Sequence, residues 1–537
     1  MANGQEQFDA VIVGAGFAGL YMLHRLRGLG LLARLFEAGG GAGGTWYWNR
    51  YPGARCDVES MQYSYQFSDE LAQEWSWSER YAPQAEILRY ANHVADRFDL
   101  KRDIQFNTTV ISAHFDTQSG RWDVETADGE HVSARFLIMA TGCLSAVNLP
   151  AIEGRDSFAG ATYHTARWPH DGVDFTGLRV GIIGTGSSAV QSIPLIAREA
   201  KHLYVFQRTP TYSVPAHNGP LDREEERRIK ADYRGFRARI AETAFDVDGE
   251  INDKPALGTS EDERDAAYEK RWRKGGLPFL LAFSDLVFDL RANETAQEFV
   301  RQKIRAIVKD PAVAEALLPE HAVGTKRLCV DIGYYETFNR PNVTLVNLKK
   351  TPLAAIVPTG IRTTERLYEL DAIVFATGFD AMTGALNRID IRGLNGLALK
   401  DAWAAGPKTY LGIATAGFPN LFMIAAGPGS PGVLSNMIPS IEQHVNFIAD
   451  VIEHMGKRQL AVIEATKVAQ EAWVQHVNEV AAPTLFPSTN SWYVGANIPG
   501  KPRIFMPYIG GYPVYVQKCK DIAANGYEGF SLSSRSI

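Results

Sequence analysis

Val11-Ile12-Val13-Gly14-Ala15-Gly16-Phe17-Ala18-Gly19 and Val180-Gly181-Ile182-Ile183-Gly184-Thr185-Gly186-Ser187-Ser188-Ala189 decide the fold of this chain. Each is an apolar run that ends in a glycine-rich turn and passes into a helical pattern. Glycines here allow tight bending and close approach of the backbone to a pyrophosphate, which then sits on the helix N-terminus. After the first turn, helical periodicity covers Phe17–Gly30 and strand character covers Leu32–Glu37. After the second, the pattern is a helix over Ser187–Ala200 and a strand over His202–Gln207. Two βαβ units in one chain predict two bound dinucleotides, with electrons passing from one to the other.

The rest of the chain repeats this plan. Residues 104–139 alternate around turn signals such as Asp128-Gly129 and read as a β-meander that closes at Phe136-Leu137-Ile138-Met139-Ala140-Thr141-Gly142. Strand patterns at Val343–Val346 and Ala372–Phe375 close on a second such ending, Ala376-Thr377-Gly378. Residues 220–325 are charged and helical in pattern, and read as an insertion in the second module. An amphipathic helix is expected over Ile438–Met455. The predicted fold class is α/β, with two Rossmann-like dinucleotide-binding domains, β-meander insertions and a helical insertion. The expected division gives 1–143 to the first domain, 144–219 to the second, 220–325 to the insertion, 326–380 again to the second, and 381–537 back to the first.

Composition narrows the function. The 537 residues are 45% hydrophobic and 22% charged, with a formal net charge of −6. That is an ordinary globular balance, with no reason to expect nucleic acid or an anionic membrane as partner. No apolar run reaches the length of a bilayer span. The polar start, Met1 to Gln7, carries no secretory pattern. Cys56, Cys143, Cys329 and Cys519 are far apart and form no CxxC pair, which argues against a metal knuckle or a redox disulfide. A cytoplasmic, reducing location is the expectation.

The residues downstream of the two turns differ. Glu37 lies 21 residues after Gly16, at the end of the next strand. A carboxylate there accepts hydrogen bonds from ribose hydroxyls and repels a 2′-phosphate, so the first site prefers FAD or NAD. The equivalent of Glu37 in the second unit is Gln207-Arg208-Thr209. Arg208 offers a planar fork for a phosphate and Thr209 a hydroxyl, which predicts NADPH; a solvated surface arginine is the alternative. With FAD in one site and NADPH in the other, the reduced flavin either activates oxygen or serves a simple reductase.

Between the turns runs Phe158-Ala159-Gly160-Ala161-Thr162-Tyr163-His164-Thr165-Ala166-Arg167-Trp168-Pro169. This segment resembles the FxGxxxHxxxW(P/D) signature of type I Baeyer–Villiger monooxygenases. Similar to that family, and to its phenylacetone and steroid monooxygenase branch in particular, are also Gly43 through Asp57, Thr325-Lys326-Arg327, and Ser491 through Lys501. The resemblance spans nearly the whole chain. It implies a flavin enzyme that takes electrons from NADPH and uses O2, through a C4a-peroxyflavin, to turn a small-molecule ketone into an ester or lactone. No obligatory protein partner is implied. The nearest rival is a flavin monooxygenase that oxygenates nitrogen or sulfur; a more distant one is a binding protein that uses FAD and NADPH as redox sensors without turnover.

Residue by residue, the resemblance implies that Asp57 and Arg327 are the active-site pair beside the flavin. A fixed guanidinium charge favours the anionic oxygen adduct over its protonated form; a shift of about three pKa units needs roughly 4 kcal/mol. Without the motif, a surface ion pair is the commoner reading of such residues. Thr45, Trp46, Tyr63, Val110 and Met437 match flavin contacts, although Val110 and Met437 also pass as plain core residues. Gly184, Thr185, Gly186, Ser187, Ser188, Ala189 and Gln191 match the NADPH site, and Lys326 matches a lysine on the 2′-phosphate. Trp492 matches the tryptophan of a mobile loop, residues 483–506, that folds over the nicotinamide, or else anchors an irregular segment. His164 is expected to be structural. Gly429 through Met437 is expected to form an irregular turn at the mouth of the ketone pocket, with Gly432 leaving room for a bulky substituent.

Overall fold

The computed structural model describes residues 6–250 and 252–534. The polar start therefore falls largely outside the described residues. Two sheets carry the two glycine turns, the first mixed and the second all parallel. The first runs in the order Asp390–Arg392, Val110–Asp116, Arg121–Thr126, His131–Met139, Glu6–Val13, Ala33–Phe36, Ile104–Gln105, with Leu421–Met423 also paired to His131–Met139. The second runs Val343–Asn347, His202–Gln207, Arg179–Ile183, Ala372–Phe375, Ala161–His164, and every neighbouring pair is parallel.

Side chains alternate across each sheet, so each strand feeds two cores. Ala10, Ile12, Phe136 and Ile138 face the helix Phe17–Gly28 and the long helix Met437–Lys457. Their neighbours Val11, Val13, Leu137 and Met139 face the meander residues Phe115, Trp122 and Val124. In the second sheet Val180, Ile182, Val205 and Val374 pack under the helix Ser187–Glu199, while Ile183, Phe206, Ile373 and Phe375 pack on the small antiparallel sheet of residues 353–369. Strands covered on both faces read as continuous apolar runs, which is why these were visible in the sequence.

The chain after 380 returns to the first sheet. Asp390–Arg392 extends it beside Val110–Asp116, and Trp122 donates its indole N–H to the carbonyl of Pro419 at 2.9 Å. The stretch 220–325 is helical but does not belong to the second module alone. Leu221, Ile229 and Tyr233 join the first core, the Tyr233 hydroxyl donates to the Met61 carbonyl at 2.5 Å, and Arg237 donates to Tyr65 O at 2.7 Å. Only from Ala256 onward do its apolar residues enter the second core. Charge-rich helical periodicity identifies a helix without identifying the core that receives its apolar stripe.

Glu442 on the long helix is buried, and its Oε1 accepts from the backbone N–H groups of Gln66 at 2.8 Å and Phe67 at 3.0 Å. Burial pushes its carboxyl up from 4.5 to about 7, against the lowering effect of those N–H groups and of Arg237. Between these values the unfolded chain releases a proton that the folded chain keeps, so this group's contribution is full below about 4.5 and is lost as pH rises toward 7. Glu442→Gln keeps an acceptor and removes the titration. The melting temperature of the variant relative to wild type should rise from pH 5 to pH 7.5, by up to ~3 kcal/mol in stability. A difference that is constant with pH contradicts this assignment.

Candidate functional site

The first turn is shaped by close approach. Gly14 has φ +106°, and a Cβ there would lie 2.6 Å from the carbonyl oxygen of Ala140. Gly16 faces a second glycine run: a Cβ on Gly44 would lie 2.7 Å from Gly16 Cα, and Gly43 N–H donates to Ala15 O at 2.9 Å. Gly19, in the first turn of the helix, lies against the Gly14 carbonyl, where a Cβ would collide. Two glycine backbones thus meet around the N-terminus of Phe17–Gly28, leaving main-chain N–H groups in a cradle that fits a pyrophosphate. Glu37 is more occupied than its sequence position implies. Its carboxylate accepts from Ala15 N and from Gly39 N, both at 2.7 Å, so it clasps the two glycine loops. Burial raises its pKa, opposed by those two bonds. With Trp48 also acting on the carboxylate, acceptor capacity remains for one ribose hydroxyl.

The short helix Thr45–Trp48 follows Gly44, and Trp46 donates its indole N–H to the Tyr63 hydroxyl at 3.1 Å. Val110 opens a meander strand and is packed in the core behind the first sheet. Met437 opens the long helix and is half-buried between the first core and a separate apolar cluster built around Cys143, Val433, Phe486 and Tyr493.

The second turn repeats the geometry. Gly184 has φ +112°, and a Cβ there would collide with the Ala376 carbonyl, while Gly186 is open. Thr185 Oγ1 donates to Thr209 O at 2.8 Å, which ties the turn to the Arg208-Thr209 strand end. Ser187 contacts Cys329 Sγ at 3.4 Å, Ser188 contacts Thr165 Oγ1 at 3.1 Å, and Ala189 is core. Gln191 looks the other way. It accepts from the Tyr51 hydroxyl at 2.8 Å and donates to the Arg55 carbonyl at 3.1 Å, so its side chain joins the two modules. Arg208 is exposed beside half-buried Lys326. Burial lowers the Lys326 pKa, and Arg208 and Lys349 lower it further. Cations gathered without a carboxylate on Lys326, among the described residues, fit a phosphate.

Asp57 and Arg327 meet where the modules meet. Arg327 Nε donates to Asp57 Oδ2 at 2.8 Å and Nη2 to Oδ1 at 2.7 Å, a bidentate pair, while Nη1 donates to the Val433 carbonyl at 3.0 Å. The side chains are only 24% and 23% exposed. Burial works against the Arg327 charge, but Asp57 more than offsets it and holds the guanidinium charged above its ordinary range. Asp57 is positioned from the other module: a Cβ on Gly53, at φ +82°, would collide with the Gln191 carbonyl.

The signature segment is structural. Gly160 passes under Asp371 O, where a Cβ would lie 2.5 Å away. His164 accepts from Ala166 N at 3.0 Å and meets Thr377 Oγ1 at 3.2 Å; burial lowers its pKa to about 4, so it is neutral at pH 7. Trp168 packs on Tyr163 and Phe175. Arg167 lies over the Trp48 ring at 4.1 Å and His170 against Tyr47 at 4.9 Å, so the segment clamps one module to the other.

Two contributors were not read from the sequence. The Val433 carbonyl is a backbone group and leaves no side-chain signal. Tyr493, next to Trp492 in the Ser491–Lys501 motif, is buried near Arg327; burial raises its pKa and the Arg327 charge opposes that rise. Trp492 is half-buried with its ring 4.1 Å from that of Tyr493. Gly432 lies in a short 3-10 turn, Gly432–Leu434, and a Cβ there would point back to Ser430 and Ala425 O, 3.5 and 3.6 Å away. Val433 and Leu434 join the apolar cluster beside Arg327.

The family described as pyridine nucleotide-disulphide oxidoreductase matches residues 11–230, although all four cysteines here are free and buried. The chain is 43% identical to cyclohexanone 1,2-monooxygenase of Acinetobacter sp, over 98% of this chain and 96% of that protein. It is 42% identical to a phenazine N-monooxygenase of Lysobacter antibioticus, over 99% of this chain and 98% of that one. The solved structure of oxidised steroid monooxygenase bound to NADP superposes with a TM-score of 0.94 at 54% identity, covering 98% of this chain and 100% of that chain. With the two nucleotide cradles and the Asp57–Arg327 pair between them, the chain belongs to the Baeyer–Villiger family of flavin-dependent monooxygenases.

Proposed function

We propose that this chain is an FAD- and NADPH-dependent monooxygenase that inserts one oxygen atom of O2 beside a ketone carbonyl, with ketone, O2, NADPH and a proton giving ester or lactone, NADP⁺ and water. The bidentate Asp57–Arg327 pair, set between the two nucleotide cradles, carries the reading. FAD belongs on Gly14, Gly16, Gly19 and Glu37, with Thr45, Trp46, Tyr63, Val110 and Met437 along it. NADPH belongs on Gly184 through Ala189, with Gln191 at the module boundary, Arg208, Thr209 and Lys326 on its 2′-phosphate, and Trp492 near its nicotinamide. When bound, the flavin takes hydride from NADPH and carries the reaction with O2.

The protein supplies charge, shape and dryness. Arg327 puts a permanent cation where negative charge grows on the ketone oxygen, in a site where water screens it little. Asp57 fixes the guanidinium plane and keeps net charge low when no anion is present. Phe486, Tyr493, Phe505 and Met506 form an apolar wall that excludes water and suits an uncharged ketone. No helix among the described residues is long and apolar enough to cross a membrane; a cytoplasmic location without an obligatory protein partner is the reading adopted. The proposed division is 1–143 and 381–537 for FAD, and 144–219 and 326–380 for NADPH; the strand membership of the two sheets supports it.

NADPH and O2 consumption with and without ketone, with product analysis across cyclic, aryl-alkyl and steroid ketones, tests the reading. Ester formed in proportion to NADPH is expected. Oxidation of an aromatic amine without any ester would favour N-oxygenation, the activity named for the phenazine relative.

Arg208→Ala combined with Lys326→Ala should raise KM for NADPH by roughly 10²-fold, the scale of two charged hydrogen bonds, and leave KM for NADH nearly unmoved. Equal losses with both cofactors contradict the phosphate role. Arg327→Ala should keep the FAD absorption spectrum and lose ester formation by ~10²-fold or more. Ester made at near wild-type rate removes Arg327 from the chemistry.

A further inference from the structure

The Val433 carbonyl accepts from Arg327 Nη1, the guanidinium nitrogen that Asp57 does not touch. A guanidinium has five N–H groups, and the three taken by Asp57 and Val433 set the direction of the other two. Val433 lies in the turn between the strand Leu421–Met423 and the helix Met437–Lys457. That strand runs beside His131–Met139, and Ile424 N–H donates to Met139 O at 3.0 Å. The turn therefore leaves the carboxyl end of the first sheet, where the first glycine cradle also sits. It begins with a strained residue. Ala425 has φ +51° and is buried, in a left-handed region that L side chains adopt only at a cost. Its carbonyl oxygen lies 3.6 Å from the position of a Cβ on Gly432, so a rotated Ala425 peptide would disturb the turn one residue before Val433.

A one-way chain of hydrogen bonds holds Ala425. Its N–H donates to His444 Nδ1 at 3.0 Å, His444 Nε2 meets the Tyr515 hydroxyl at 2.8 Å, and that hydroxyl donates to Leu411 O at 2.5 Å. A backbone N–H only donates and a carbonyl only accepts, so the direction of the chain is fixed. Nδ1 is the bare nitrogen, Nε2 carries the proton, and the phenol gives its own to Leu411. Burial pushes the His444 pKa down to about 3, which keeps the ring neutral as this tautomer requires. His444 and Tyr515 are buried side chains of two helices, Met437–Lys457 and Tyr512–Ala524. Leu411, at the far end, is also left-handed at φ +59° and fully buried. It sits in a turn, 409–414, that nests into 425–430. A Cβ on Gly427 would collide with Gly412 O, Gly412 N–H donates to Thr409 Oγ1 at 3.1 Å, and Thr409 Oγ1 donates to Pro428 O. The chain thus bridges two strained backbones whose turns pack together.

We propose that His444 and Tyr515 are positioning residues of the monooxygenase site: their chain holds Ala425 and Leu411 in left-handed backbone, and the turn 425–433 so fixed presents the Val433 carbonyl to Arg327. The inference rests on the monooxygenase reading above and extends the site to two buried side chains outside the Asp57–Arg327 pair. With the chain broken, Ala425 relaxes out of the left-handed region and the Val433 carbonyl leaves Nη1. The remaining N–H groups of Arg327 then turn away from the ketone oxygen. NADPH, O2 and a proton give NADP⁺ and H2O2, without ester.

The test uses the full-length holoenzyme with a ketone that wild type converts, and rates are taken per bound FAD. Tyr515→Phe removes only the hydroxyl, and His444→Gln keeps a donor for Tyr515 while removing the acceptor of the Ala425 N–H. Each should cut the ester recovered per NADPH oxidised by ~10-fold, the scale of one buried hydrogen bond, and leave KM for NADPH unmoved. The double variant should lose no more than the worse single one, because both break one chain. Ala425→Gly added to Tyr515→Phe should raise the ester yield again, since glycine enters the left-handed region without a steric cost. Loss of core packing alone would not be repaired in that way. Independently of turnover, hydrogen exchange at the Ala425 and Leu434 amides should quicken in both single variants. Wild-type ester yield in Tyr515→Phe, additive losses, or no recovery with Ala425→Gly overturn the proposal, and Tyr515→Phe decides it even if His444→Gln does not fold. Wild type that makes no ester from any ketone refutes the functional reading instead, so the two failures are distinct.

Discussion

A guanidinium and a carboxylate that lie 270 residues apart in the chain form a bidentate pair at 2.7 and 2.8 Å. That contact requires both modules to be in register. Asp57 arrives on a loop pressed against the helix Ser187–Glu199, where Gln191 holds Tyr51 and Arg55. Arg327 arrives just before the strand Cys329–Asp331, which pairs with Ser213–Pro215 at the edge of the second module. The signature segment closes the other side of the boundary, with Arg167 over Trp48. Taking either charge out of water alone is costly, so removing one partner strands the other. The pair is therefore both a fastening and a charge source, and its position at the junction of two nucleotide cradles suits transfer of electrons from one cofactor toward oxygen and substrate.

The two cradles share one device. A glycine at positive φ meets the carbonyl of the residue that follows a neighbouring parallel strand, Gly14 on Ala140 and Gly184 on Ala376. Those strand ends lead directly into the two connections between modules, 140–148 and 376–382, which hydrogen-bond to each other. Cofactor binding and inter-module geometry are thereby built on the same few residues. His164 joins in through Thr377, whose hydroxyl donates to Asn148 O at 2.6 Å, and its pKa of about 4 keeps it a neutral hydrogen-bonder there.

Much of this was legible in the sequence because parallel strands covered on both faces are apolar runs, and because a glycine turn after such a run has few other uses. The Gly14 and Gly184 turns needed nothing more, and Arg208 was singled out by its place after the second strand of its unit; Lys326 was named only through the family resemblance. The pairing of Asp57 with Arg327 came from family resemblance; no local pattern links residues so far apart. What stayed hidden depends on tertiary direction. The helical stretch 220–325 divides between two cores according to which apolar residues face inward. Glu37 is spent partly on backbone N–H groups, and Gln191 turns to the opposite module. Tyr493, one residue from the motif tryptophan Trp492, is buried in the cluster that holds Val433, whose carbonyl accepts from the arginine.

The central claim is that this chain moves one atom of O2 into a ketone. Conversion of a ketone under ¹⁸O2 in unlabelled water, with the product read by mass spectrometry, tests it most directly. The predicted product is an ester or lactone carrying a single ¹⁸O at the inserted ring or alkoxy position, with the carbonyl oxygen retained from the substrate. An unlabelled product, or label that enters only from H2¹⁸O, would contradict it.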